Sequence, residues 1–171
     1  IGHSFGGQIA ARIAIDALYK LSGLVLVDAA VARNNSYSTI FNITVARLGK
    51  QLIQKTPMKH FYRQLRNHYY RLRKIEASDY LQIVNNPPLA ETLSNIMRED
   101  LLSLCYKINT PTLLFWGEKD PPELTPLKYG HQLAKSIKKS RLVVIPNVGH
   151  FSYLEAPDRF VIEVQQFTKN L

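Results

Sequence analysis

A chain of 171 residues, 46% of them hydrophobic, is long enough to bury a sizeable core in one domain, or in one domain that carries a large insertion. No apolar run approaches the ~20 residues of a membrane span, no charged and then apolar leader opens the chain, and the single cysteine, Cys105, excludes an internal disulfide framework and suits a reducing, cytoplasmic compartment. The formal net charge of +9 is uneven, because no acid stands between Asp28 and Glu76 while ten basic residues fall from Arg33 to Lys74. Such a surface could meet anionic lipid headgroups, acidic substrates or nucleic acid. No nucleic-acid module accompanies the charge, so a solvated helix face is expected rather than nucleic-acid binding, and membrane-surface contact is not favoured.

The first residues, Ile1-Gly2-His3-Ser4-Phe5-Gly6-Gly7, contain Gly-x-Ser-x-Gly and run straight into a helical pattern. This is the pattern of a nucleophile elbow, a turn between strand and helix so sharp that the serine hydroxyl stands free above a sheet. Gly2 and Gly6 are expected there because a Cβ at either position would collide across the turn. Ile1 reads as the last residue of the strand that feeds it. A helix is expected from Gly6 to Lys20, with Ile9, Ile13, Ala10, Ala14 and Ala17 as its buried side and Leu18 closing it. Ser22-Gly23 ends it, and Leu24-Val25-Leu26-Val27 is a continuous apolar run suited to a parallel strand buried on both faces.

From Val31 to about Ser103 the strand pattern disappears. A helix is expected over 40–54, and a firmer one from Thr56 and Pro57 with Met58, Phe61, Leu65, Tyr69, Leu72 and Ile75 as its stripe. Asn85-Asn86-Pro87-Pro88 interrupts the chain, and a third helix is expected from Leu89 through Ile96 and Leu101 to Leu104. The segment over 31–103 therefore reads as an all-helical insertion, a cap or lid, between two strands. Its tyrosines and phenylalanines could line an acyl pocket, although helix packing accounts for most of them.

Thr112-Leu113-Leu114-Phe115-Trp116 restores the strand pattern and ends in Gly117-Glu118-Lys119-Asp120. Asp120 thus lies just past the C-terminal end of a strand, where open α/β sheets collect functional groups. Thr125-Pro126 starts a helix through Leu133 and Ile137, Arg141–Ile145 is the last strand, and His150 follows it in Pro146-Asn147-Val148-Gly149-His150. A final helix is expected over roughly 156–170, with Phe160, Val161, Val164 and Phe167 on one side.

Ser4, Asp120 and His150 each follow a buried strand in a glycine-containing turn, so parallel strands bring all three to one sheet edge. A histidine there can take the serine proton and return it to a leaving group, and the aspartate can hold the imidazole's tautomer. Asp28 also ends a strand and is the alternative acid. Glu118 reads as a solvated loop charge, His3 as a locally packed or hydrogen-bonded residue, and His60, His68 and His131 as surface or insertion residues. Cys105 reads as a buried small residue, and no spacing suggests a metal site, a cofactor site or a disulfide.

The strings G-H-S-F-G-G, W-G-E-K-D and N-V-G-H-F, in that order, resemble the α/β-hydrolase superfamily, in particular its serine-nucleophile members with a helical cap. The resemblance covers residues 1–30 and 104–171 as core, whereas the insertion over 31–103 is similar only in position and helical character. It implies an α/β fold with a mostly parallel sheet flanked by helices, and Ser4 as nucleophile, Asp120 as acid, His150 as base and the Phe5 N–H as one oxyanion donor. The family's second donor lies in an upstream loop with no counterpart in these residues. The implied activity is hydrolysis of a small-molecule acyl ester without a cofactor or metal, with a thioesterase or carbon–carbon bond hydrolase as the alternative and a non-catalytic ligand-binding protein as the alternative of another class. The chain has no initial Met and is expected to be the C-terminal part of a longer protein. Taken alone, it is expected to be poorly soluble or inactive, with the strand over 24–27 left as an unpaired edge.

Overall fold

The computed structural model describes residues 1–17, 19–32, 86–122 and 124–171. The chain divides into two units, Ile1–Arg33 with Glu99–Leu171, and Asn34–Arg98. In the first, β1 (Gly2–His3), β2 (Leu24–Val27), β3 (Thr112–Gly117) and β4 (Ser140–Ile145) form a parallel sheet in that order. His3 pairs with Val27, Val27 with Phe115, and Gly117 with Ile145, so every strand delivers its following residues to the same edge.

The apolar runs of β2 and β3 are buried on both faces. Leu24, Leu26, Leu114 and Trp116 face one core, with α1 (Ser4–Asp16) and α3 (Leu127–Ser136) packed over them. Val25, Val27, Leu113 and Phe115 face the other, covered by Phe160, Val164 and Phe167 of α5 (Pro157–Lys169). Burying one such side chain contributes about 1.5–3 kcal/mol, so these two strands anchor the unit. The Trp116 indole N–H is not left orphaned, because it donates to the Thr125 carbonyl at 2.7 Å.

Several expectations are corrected. The strand before the elbow is Gly2–His3, and Ile1 is exposed outside it. β2 is not an open edge over its whole length, because β1 pairs with Leu26 and Val27. In α1 the buried side is Gly7, Gln8, Ala11, Ala14 and Ile15, whereas Ile9 and Ile13 are 43% and 38% exposed. The helix lies so close to the chain after β2 that a Cβ on Gly7 would sit 2.5 Å from the Ala29 Cβ, so no side chain fits at that point of the contact. The helix also stops at Asp16, where Ala17 takes a left-handed conformation with φ 50°, and Leu18 lies outside the described residues.

Of the second unit, the described part is α2 (Pro87–Arg98), which starts two residues before the expected Leu89. The expected continuation to Leu104 is instead a separate 3₁₀ turn, Leu102–Lys107, because the Asp100 carboxylate accepts the Leu102 N–H at 3.0 Å and starts a new local structure. The helices expected over 40–54 and from Thr56 to Ile75, the basic residues Arg33 to Lys74, and His60 and His68 lie outside the described residues. The chain leaves and rejoins the first unit at one place, since the Leu101 N–H donates to the Val31 carbonyl at 2.9 Å. At the end of the chain, the helix expected over roughly 156–170 is α5, a separate short helix, α4 (Ser152–Glu155), precedes it, and Val161 is 50% exposed rather than packed. Among the described residues no helix is long and apolar enough to cross a membrane.

Candidate active site

The turn from β1 into α1 places Ser4 at the first helical position with φ 51°, a left-handed conformation that costs a non-glycine residue of order 1–3 kcal/mol. Gly2 is required there, because a Cβ on it would come within 2.4 Å of the Gly6 carbonyl oxygen. The same expectation for Gly6 is corrected, since a Cβ on Gly6 meets nothing within 4 Å, and the second crowded glycine is Gly7. Phe5 occupies the second position of α1, so its N–H belongs to the first-turn amides that a helix cannot satisfy internally.

Asp120 and His150 reach Ser4 from the ends of β3 and β4. His150 Nε2 lies 3.1 Å from Ser4 Oγ, and its Nδ1 lies 2.9 Å from Asp120 Oδ2. A carboxylate only accepts, so Nδ1 carries the proton and Nε2 is left to accept from the serine hydroxyl. The two supporting turns are laced together. The Lys119 N–H donates to the Val148 carbonyl at 2.8 Å, the Glu118 N–H to the Ile145 carbonyl at 3.0 Å, and the Glu118 carboxylate accepts the Asn147 N–H at 3.0 Å. Glu118 is therefore exposed but not merely solvated, because it ties the Asp120 turn to the His150 turn.

Thr125, read in the sequence only as a helix start, is the residue that sequence reasoning missed. Its N–H donates to Asp120 Oδ1 at 3.3 Å, its hydroxyl donates to Asp120 Oδ2, and the same Oγ1 lies 3.1 Å from His150 Nδ1. The signal was a hydroxyl residue five positions after the acid in a turn, which is common enough to pass as a cap.

His3 is half-buried and packs against His150. Its Nε2–H donates to the His150 carbonyl at 2.9 Å, and its ring lies 4.9 Å from those of His150 and Tyr153. Burial pulls its pKa below the ordinary value more than that hydrogen bond raises it. The thiol of Cys105 is fully buried, donates to the Leu101 carbonyl and is pushed up to about 12 by burial, which leaves it inert. His131 is exposed on α3. Among the described residues no cluster could hold a metal ion.

Asp28 does not touch the imidazole. Fully buried at the end of β2, with φ 40°, it accepts the Gly117 N–H on Oδ1 at 2.8 Å, and the Ser152 N–H at 3.4 Å and the Ser152 hydroxyl on Oδ2. Burial pushes its carboxyl up to about 6 from an ordinary 3.8, against the pull of those donors. The folded state then holds a proton that the unfolded chain has released between these two values. The stability contributed by this group is therefore full below pH 3.8 and is lost as pH rises through about 6. A shift of this size corresponds to a loss on the order of 3 kcal/mol. Urea unfolding of wild type and Asp28→Asn at a series of pH values checks this: the wild type should lose stability relative to the variant over that interval, and parallel curves would refute it.

A serine on a strained strand-to-helix turn, with a histidine and an aspartate brought to it from the next strand ends of a parallel sheet, is the architecture of α/β hydrolases. The chain belongs to the alpha/beta hydrolase family, whose sequence profile matches residues 1–164. It is 26% identical over 183 residues to a pimeloyl-[acyl-carrier protein] methyl ester esterase of Nitrosomonas europaea, covering 94% of this chain and 67% of that protein. It is 25% identical over 202 residues to a proline iminopeptidase of Saccharolobus solfataricus, covering 98% and 60%. In fold it is similar to a hydrolase from Pseudomonas aeruginosa PA01, with TM-score 0.64 and 22% identity over 98% of this chain and 63% of that one. The chain thus spans about two thirds or less of the length of these relatives.

Proposed function

We propose that the protein is a serine hydrolase that cleaves a small-molecule acyl ester through an acyl-enzyme, with Ser4 as nucleophile, His150 as general base and acid, and Asp120 as the carboxylate that holds and stabilises the imidazole. The observation that carries this is the continuous path from Asp120 Oδ2 through both nitrogens of His150 to Ser4 Oγ, at 2.9 Å and 3.1 Å. Ser4 Oγ bonds to the acyl carbon as its proton passes to His150 Nε2. The tetrahedral oxyanion is met by the Phe5 N–H, an electrostatic contribution worth about 10²–10³ in rate. Collapse breaks the ester C–O bond, and the alkoxide leaves with the proton from His150. Water then enters by the same route, its proton going to His150 and its oxygen to the acyl carbon, and Ser4 departs reprotonated. Residues 31–103 act in this reading as the cap that sets substrate size. The ester class is supported by the named activity of the Nitrosomonas europaea relative.

The test is exposure of the whole protein to a fluorophosphonate probe, with mass spectrometry of the labelled peptide and turnover of p-nitrophenyl acyl esters. Labelling confined to Ser4, lost in Ser4→Ala, is expected. Absence of labelling in protein shown to be folded would bring the non-catalytic binding reading forward.

A further inference from the structure

We propose that Asp28 is a positioning residue for this reaction, a buried bracket through which the nucleophile, acid and base segments are held in one register. The inference rests on the reading of Ser4, His150 and Asp120 as catalytic. Asp28 itself touches no reacting atom. What distinguishes it is that the three residues after β2 reach every part of the site. The Ala30 N–H donates to the Ser4 carbonyl at 2.9 Å, which fixes the elbow. Asp28 Oδ1 accepts the Gly117 N–H at 2.8 Å, at the origin of the turn that carries Asp120. The Asp28 carbonyl lies 3.0 Å from Thr125 Oγ1, the hydroxyl that is also bonded to Asp120. Asp28 Oδ2 accepts both the Ser152 N–H and the Ser152 hydroxyl, two residues beyond His150.

A buried carboxylate is an expensive way to join backbone segments. The two amides, at Gly117 and Ser152, and the Ser152 hydroxyl can only be satisfied together by a group with acceptors on both oxygens. An asparagine offers one acceptor oxygen and an N–H₂ that faces another donor. The left-handed backbone at Asp28, φ 40°, is the second sign that this position is held for geometry rather than for strand continuation. The titratable groups that act on its charge are Asp120, which opposes it, and His150, which favours it. Asp28 therefore acts on the base through geometry, by placing the loop that carries His150.

A split between kcat and KM separates a positioning role from a structural one. The experiment is the second-order rate of fluorophosphonate labelling at Ser4, with kcat and KM for a p-nitrophenyl acyl ester, in the whole wild-type protein, Asp28→Asn and Ser152→Ala, with thermal melts of each. In Asp28→Asn the labelling rate is expected to fall by about 10- to 100-fold, the effect of sub-ångström displacement of a base. The loss is expected in kcat with KM unchanged, because the displaced group is the base and not the surface that binds substrate. Ser152→Ala keeps the carboxyl group and removes one donor. It should label about threefold or more slowly, and it carries the test if Asp28→Asn fails to fold. An unchanged rate in either folded variant, or a slower Asp28→Asn whose KM rises while kcat holds, overturns the proposal. A wild-type protein that is folded but not labelled overturns the hydrolase reading itself, a result that the variants cannot mimic.

Discussion

Asp120→Asn is expected to lower turnover of an acyl ester by about 10⁴-fold, the loss that the same replacement causes in a Ser-His-Asp triad, while the protein remains folded. The reason lies in Thr125. Its N–H can only donate, and it points at Asp120 Oδ1. In an asparagine side chain the carbonyl oxygen is drawn to that position, and the N–H₂ group is left where Oδ2 stands, facing His150 Nδ1. The imidazole must then accept at Nδ1 and carry its proton on Nε2, where it meets the hydroxyl of Ser4 as a donor instead of a base. The measurement is kcat and fluorophosphonate labelling rate for the whole protein, with a melting curve as control. Retention of more than about a tenth of the wild-type rate would show that another group holds the tautomer, since removal of a triad acid does not normally leave so much.

Gly117→Ala is expected to be the most destabilising small substitution in the core. A Cβ on Gly117 would stand 2.1 Å from the Gly149 carbonyl oxygen and 2.6 Å from that of Val148. Both obstacles are backbone, and the Val148 carbonyl is already bonded to the Lys119 N–H at 2.8 Å, so no side chain can swing aside. Overpacking of this kind costs about 3 kcal/mol or more. For a protein of this size that is a fall in Tm of roughly 10 °C. The strain would fall on the loop ending in His150, so activity should drop with stability. Gly6→Ala is the matched control, because its Cβ meets nothing within 4 Å. Calorimetry of the two variants decides the matter, and equal melting temperatures would mean that the base turn relaxes freely.

Much of the core was legible because its signals are of the kind that sequence carries well. Leu24–Val27 and Thr112–Gly117 are unbroken apolar runs, and a strand buried on both faces has no other way to be written. The motif turns after β1, β3 and β4 could be read because glycine and a reactive side chain stand together at each strand end. One misreading arises because close approach of the backbone, and not hydrophobicity alone, decides which face of a helix is buried. Ile9 and Ile13 look like the buried stripe of α1, yet the buried side is Gly7, Gln8, Ala11, Ala14 and Ile15, turned to where a Cβ on Gly7 would stand 2.5 Å from the Ala29 Cβ. Asp28 reads only as the alternative acid, and Thr125 only as a helix start, for a different reason: their partners stand 89 and 97 residues away in sequence, in one case the Gly117 N–H on Asp28 Oδ1 and in the other the Asp28 carbonyl beside Thr125 Oγ1. No local pattern records such a partner.

The hydrogen bond between the Leu101 N–H and the Val31 carbonyl has a consequence for how such a chain can diverge. The segment between these residues departs and returns across a span of one hydrogen bond, so the sheet is closed whether that segment is long or short. Doubling the length of such a loop costs only about 0.6 kcal/mol in closure entropy. A change in the length of the chain between Val31 and Leu101 therefore costs little in the register of the strands whose ends carry Ser4, Asp120 and His150.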